Sequence, residues 1–143
     1  MSIKIEVRKL VLQSPDMQTA SAIRQEVFVL EQGCPPDLEQ QQDEESHHFL
    51  AYAQGQPAGA SRWRKTKDGI KLERFAVLDH FRGQGIGQAL VTAVLSDLPE
   101  DAAYVYLHAQ LPAVGLYEKF GFEKTGPEFE EAGIRHYKLV LKR

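Results

Sequence analysis

The sequence predicts one α/β layer domain spanning residues 1–143, a mixed, mostly antiparallel twisted sheet flanked by helices. Three observations predict it. Ile3, Ile5 and Val7 alternate with Lys4, Glu6 and Arg8, and later short segments also read as strands. Longer stretches repeat apolar residues at helical spacing. The order is strand, helix, strands, helix, strand, helix, strands, with no repeat and no linker between them. A chain of 143 residues is the size of one domain, and 43% hydrophobic content supplies a core that needs no disulfide or metal staple.

Each element follows from its own residues. Residues 3–8 form a half-buried strand. Ser14 caps a helix, Pro15 suits its first position, and Asp16 lies at the positive end of its dipole. Ala20, Ile23, Val27 and Leu30, with Arg24 and Phe28 beside them, carry that helix to Gly33, before Pro35-Pro36. Residues 35–46 are polar and acidic. They predict a solvated loop with one helical turn at most, and attraction of a cationic amine is the rival reading of its acids. Strands follow over 48–53, 58–65 and 70–77, joined by turns at Gly55-Gln56-Pro57 and Lys67-Asp68-Gly69. Ile86, Ala89, Leu90, Ala93, Val94 and Leu98 share a helix face that Pro99 closes. A strand over 103–108, a shorter helix over 112–120 and a strand pair over 122–125 and 134–141 complete the chain.

Composition excludes several classes. Net charge is -3, which gives no electrostatic footprint for nucleic acid. Cys34 is the sole cysteine, so no internal disulfide or cysteine zinc site forms, and no metal is expected. No apolar run approaches the ~18 residues of a membrane span, and charge enters too early for a signal peptide. A cytoplasmic address is the expectation.

The chemistry concentrates after the strand Leu72-Glu73-Arg74-Phe75-Ala76-Val77. A short loop leads to Arg82-Gly83-Gln84-Gly85-Ile86-Gly87 at the start of a helix. Unpaired N–H groups and the dipole favour an anion there, glycines let it approach, and Arg82 adds charge. Gln88 stands where a dinucleotide fingerprint needs glycine, and no acidic residue lies near Leu107 and His108. Gly-Lys-Ser/Thr is also absent, which removes the nucleotide P-loop. The glycines by themselves leave open an anion site or a plain connector.

The Arg82-x-x-Gly85-x-Gly87 pattern resembles the acetyl-CoA motif of the GNAT superfamily of N-acetyltransferases. A second matching block contains Leu107-His108-Ala109-Gln110, Ala113 and Leu116-Tyr117-Glu118-Lys119-Phe120-Gly121-Phe122. Residues 23–33, Asp43, His48-Phe49-Leu50-Ala51 and 129–136 resemble the YjcF-like/ElaA-like bacterial branch. Gln110 departs from the asparagine of many members, and Cys34 from an aliphatic residue.

The resemblance implies a GNAT fold with splayed central strands and acetyl-CoA as donor. Arg82, Gly83, Gln84, Gly85, Ile86 and Gly87 would hold the pyrophosphate. Phe75, Ala76 and Val77 would meet the pantetheine through the backbone, and Gln110, Ala113 and Tyr117 would complete the site. It implies direct transfer in a ternary complex and leaves the acceptor open; a primary amine of a small molecule is the leading reading. A protein lysine or N-terminus is the alternative acceptor, and a CoA-binding regulatory module the alternative class. Homodimers occur among such folds, and the 129–136 hairpin offers an edge.

Tyr117 matches the family's general acid, and a phenol can protonate a leaving thiolate. It also fits as a core aromatic. Glu73 stands where some relatives place a catalytic glutamate, or else pairs with an arginine on the strand face. His48, His108, His136 and water are rival bases, although a lone histidine is more often structural. Arg24, Glu31 and Arg74 suggest an ion-pair network beneath the site.

Overall fold

A computed structural model describes residues 3–142; residues 1, 2 and 143 of the predicted domain lie outside the described residues. The strands are β1 (Ile5–Lys9), β2 (His47–Ala53), β3 (Gln56–Lys65), β4 (Ile70–Val77), β5 (Val105–Gln110), β6 (Phe122–Glu131) and β7 (Ile134–Leu141). They form one sheet in the order β1-β2-β3-β4-β5-β7-β6. The β4–β5 pair is parallel and the other pairs are antiparallel. The helices are α1 (Pro15–Arg24), α2 (Pro36–Glu39), α3 (Ile86–Asp97) and α4 (Val114–Glu118). No helix among the described residues is long and apolar enough to cross a membrane.

Helices cover both faces of the sheet. On one side Ala20, Ile23 and Val27 pack with Leu50, Ala60 and Ala76. On the other, Ile86, Leu90, Val91 and Val94 of α3 pack with Phe49, Ala51, Leu72 and Leu107. Adjacent Phe49, Leu50 and Ala51 thus serve opposite layers, as the two-residue period of a strand requires. Gly59 permits the close seat of α3, since an added Cβ would lie 2.8 Å from the Ala76 carbonyl oxygen and 3.1 Å from Ile86 and Leu90 side-chain atoms.

Several expected boundaries move. The first helix is α-helical only to Arg24; Gln25–Glu31 form a π-helix, and the Cys34 N–H closes the end on the Phe28 carbonyl at 2.8 Å. The turn before β3 uses Gln54 and Gly55, both at positive φ, so pairing starts at Gln56. The strand expected over 122–125 runs to Glu131, with an irregularity between Thr125 and Phe129. The acidic loop holds α2 and a 3₁₀ turn, Asp43–Glu45. Its acids do not all face water: Glu39 is buried, because Arg24 is buried beside it and needs a counter-charge.

Candidate active site

The parallel pairing of β4 with β5 joins Ile70 to Val105, Lys71 to Tyr106 and Leu72 to Leu107, and then stops. A bulge accompanies the parting. Along β3–β4 the register passes from Ala60–Ala76 to Arg62–Glu73, so Ser61 faces two residues, Arg74 and Phe75. Arg74 takes φ +58, a conformation that costs a non-glycine residue about 1–2 kcal/mol. Its side chain offsets this by donating Nε to the Glu39 carbonyl at 3.1 Å and Nη2 to the Leu38 carbonyl at 3.0 Å.

A cleft of about 390 Å³ occupies the gap. Glu73 and Phe75 line it from β4, His108 and Gln110 from β5, and Tyr117 from α4. Phe28 and Gln32 of the first helical segment and Glu131 and His136 of the β6–β7 hairpin wall it. The expected residues Glu73, Phe75, Gln110, Ala113 and Tyr117 therefore converge, whereas Ala76, Val77 and the 82–87 turn lie outside the lining. Ala76 and Ile86 turn their side chains into the core, which leaves their backbone for any ligand.

At the glycine turn, Gly83 and Gly85 take φ +80 and +89, and Gly85 is the N-cap of α3. The first helical bond joins the Ala89 N–H to the Gly85 carbonyl, so the N–H groups of Ile86, Gly87 and Gln88 precede it. Gln84 Nε2 donates to the His80 carbonyl at 3.4 Å. Arg82 donates Nε to the Val77 carbonyl at 3.0 Å and pairs through both Nη atoms with Glu31. That contact holds the Arg82 pKa above its ordinary value. Glu31 thus belongs to the turn, not to the network with Arg24 and Arg74 that the sequence suggested.

The network beneath the cleft uses other acids. Arg24 pairs with Glu39 at 2.6 Å and Asp43 at 2.8 Å; Arg62 pairs with Asp43 at 2.7 Å and Glu73 at 3.0 Å. Glu73 also takes Arg64 at 2.7 Å and Lys71 at 3.3 Å. Burial would raise the Glu73 carboxyl, but the Arg64 hydrogen bond and the Arg62, Lys71 and Arg74 charges hold it at about 2. A carboxylate so committed is a poor proton acceptor at neutral pH, which argues against the base role expected for Glu73.

The histidines separate by environment. His48 is buried outside the cleft lining and donates Nε2 to the Asp43 carbonyl at 2.8 Å; burial lowers its pKa. His136 must donate Nδ1 to the Ile134 carbonyl at 2.7 Å, which leaves Nε2 to face Glu131 at 3.7 Å. His108 Nδ1 lies 3.0 Å from Glu131 Oε1. That hydrogen bond, ahead of burial, sets the Glu131 pKa below its ordinary value. Glu131 is a site residue that sequence reasoning missed. It lies 23 residues from His108, and only the β6–β7 pairing brings it across.

Tyr117 is buried edge-on to Phe75, ring centroids 5.6 Å apart, and its hydroxyl has no hydrogen-bond partner among the described residues. Burial raises its pKa, so the phenol keeps its proton. Gln110 Nε2 donates to Gln32 Oε1 at 3.0 Å, joining β5 to the end of the π-helix. No group of three or more metal-ligating side chains is assembled among the described residues.

The parallel strand pair thus opens onto a cleft that holds the His108–Glu131 pair, and the glycine turn stands at the N-terminus of α3 outside its lining. The model of the acetyltransferase (GNAT) domain matches residues 13–143, and the chain belongs to this family of acetyltransferases. It is 38% identical over 128 residues to the uncharacterized N-acetyltransferase YjcF of Bacillus subtilis (strain 168), covering 87% of this chain and 91% of that one. The crystal structure of Escherichia coli ElaA superposes with a TM-score of 0.80 at 27% identity, over 97% of this chain and 100% of that one. A GNAT family acetyltransferase from Elizabethkingia anophelis, solved with acetyl-CoA bound, shares the fold with a TM-score of 0.68 at 18% identity, over 97% and 98% of the two chains.

Proposed function

We propose that this chain transfers the acetyl group of acetyl-CoA to a primary amine of a small molecule, directly within a ternary complex. One observation carries the reading: Tyr117 and the His108–Glu131 pair line one cleft where β4 parts from β5. A cleft of this volume, walled by a helix and a hairpin, favours a small amine over a protein chain.

The residues fit acetyl-CoA. The free N–H groups at the start of α3, with Arg82 beside them, suit a pyrophosphate. The β4 edge beyond Leu72 offers its backbone to an extended pantetheine, including Phe75 and Val77. When bound, acetyl-CoA supplies an acetyl thioester: the amine nitrogen bonds the acetyl carbon, the carbon–sulfur bond breaks, the amine loses a proton and the sulfur gains one.

His108 takes the amine proton at Nε2, with Nδ1–H directed to Glu131, which orients the ring. Tyr117, neutral and without a competing hydrogen-bond partner among the described residues, donates its proton to the leaving sulfur. Glu73 anchors the surrounding cations.

Thiol release from acetyl-CoA across a panel of small amines tests the function. Acetyl-CoA binding with no release for any amine would favour the CoA-binding module instead.

A further inference from the structure

The floor of the cleft carries more positive charge than its carboxylates neutralise. Arg24, Arg62, Arg64, Lys71 and Arg74 share three acids, Glu39, Asp43 and Glu73. Glu131 is the one further acid among the described lining residues, and it is engaged by His108. The exposed Glu45 acts on Arg64 from outside the lining; among the described lining residues, with both histidines neutral, Arg62, Arg64, Lys71 and Arg74 outnumber Glu39, Glu73 and Glu131 by one charge. The Arg62 side chain is 1% exposed, Lys71 15%, Arg64 18% and Arg74 26%, so water solvates that excess only in part.

Donors are also left over. Arg64 spends Nε and Nη2 on Glu73, and Arg74 spends Nε and Nη2 on backbone carbonyls; Nη1 of each makes no hydrogen bond among the described residues. Lys71 has three N–H donors and makes one ion pair among the described residues, with Glu73. All three side chains line the same cleft as His108 and Tyr117.

We propose that Arg64, Lys71 and Arg74 bind an anionic oxygen group of the acceptor, so that the substrate is a primary amine carrying a carboxylate. The proposal rests on the transferase reading above for the amine end. The amine lies toward His108 and the carboxylate toward the cations, where it supplies the missing negative charge and accepts the spare N–H groups. A diamine is disfavoured, because its second ammonium would meet this excess. The anionic group takes no part in the bond changes of acetyl transfer.

The test titrates CoA-saturated protein by calorimetry with ω-amino acids of graded chain length, their methyl esters, and matched aminoalkylphosphonates. At the fitting length the carboxylate should bind at least about tenfold more tightly than its ester, as expected for charge-assisted hydrogen bonds. Lys71→Gln and Arg64→Gln, each checked by circular dichroism, should each remove most of that preference. Esters binding as tightly as acids, no binding by any compound, or an unchanged preference in both variants would overturn the proposal. A phosphonate bound while every carboxylate is refused would overturn the carboxylate assignment. Thiol release from acetyl-CoA with the same panel separates the two ideas. Anions bound but never acetylated would leave the anion site standing and remove the transferase reading. Acids and esters acetylated alike would do the reverse.

Discussion

Glu31 holds Arg82 through both terminal nitrogens, at 2.9 and 3.0 Å, so the cation placed beside the glycine turn already has a carboxylate partner. The contact ties the end of the π-helix to the start of α3. A pyrophosphate bound at the turn must share Arg82 with Glu31 or displace it. Glu31→Gln should therefore tighten CoA binding about threefold to tenfold, and Arg82→Gln should weaken it by at least as much. Calorimetry with CoA checks both, and affinities unchanged in both variants would remove Arg82 from the cofactor site.

His108→Gln should lower kcat/KM about 100-fold, and the limb of the pH–rate profile that reports the base should disappear. Glu131→Gln should lower kcat about tenfold with the KM for the amine little changed, because the His108 ring loses the carboxylate that orients it. Rate profiles with one amine at several pH values check the first variant, and kcat against KM in Glu131→Gln distinguishes a positioning role from a structural one, which would leave kcat unchanged.

Tyr117→Phe should lower turnover about 100-fold with little change in CoA affinity. Its hydroxyl has no partner among the described residues, so the variant should melt within a few degrees of the parent. Full turnover in the variant would exclude the general-acid role.

Arg24→Met leaves Glu39 buried without its closest cation. Breaking a buried pair from one side costs about 3–5 kcal/mol. Urea unfolding should show that loss, and the double variant Arg24→Met with Glu39→Gln should recover part of it.

Stability should fall steadily as the solution is acidified. His48 has its pKa lowered by burial, so its protonation opposes folding once pH drops below its ordinary 6.5. Glu73 adds to this at lower pH. Its carboxyl lies at about 2 against 4.5 ordinarily, so its contribution is complete above 4.5 and is lost as pH falls toward 2. That contribution amounts to up to about 3 kcal/mol. Melting temperatures between pH 7 and about 3 check the trend, which should be shallower in Glu73→Gln at the acid end.

The sequence by itself determined the layered α/β fold, the glycine turn and its helix, and the family block around Tyr117. Those features are written in local periodicity and in contiguous motifs, and they survive folding almost unchanged: Ile86–Asp97 is the helix that the repeat of Ile86, Leu90 and Val94 predicts. Tertiary structure alone decided which charges meet. Glu73 became an anchor for Arg62, Arg64 and Lys71, Glu31 went to Arg82, and Glu39 turned inward to Arg24. Glu131 reached His108 only because β6 folds back along β7. Spacing along the chain cannot report such pairs. Electrostatic partners are chosen by distance and burial in space, and a carboxylate is a base, an anchor or a solvated loop acid according to the cations that folding puts beside it.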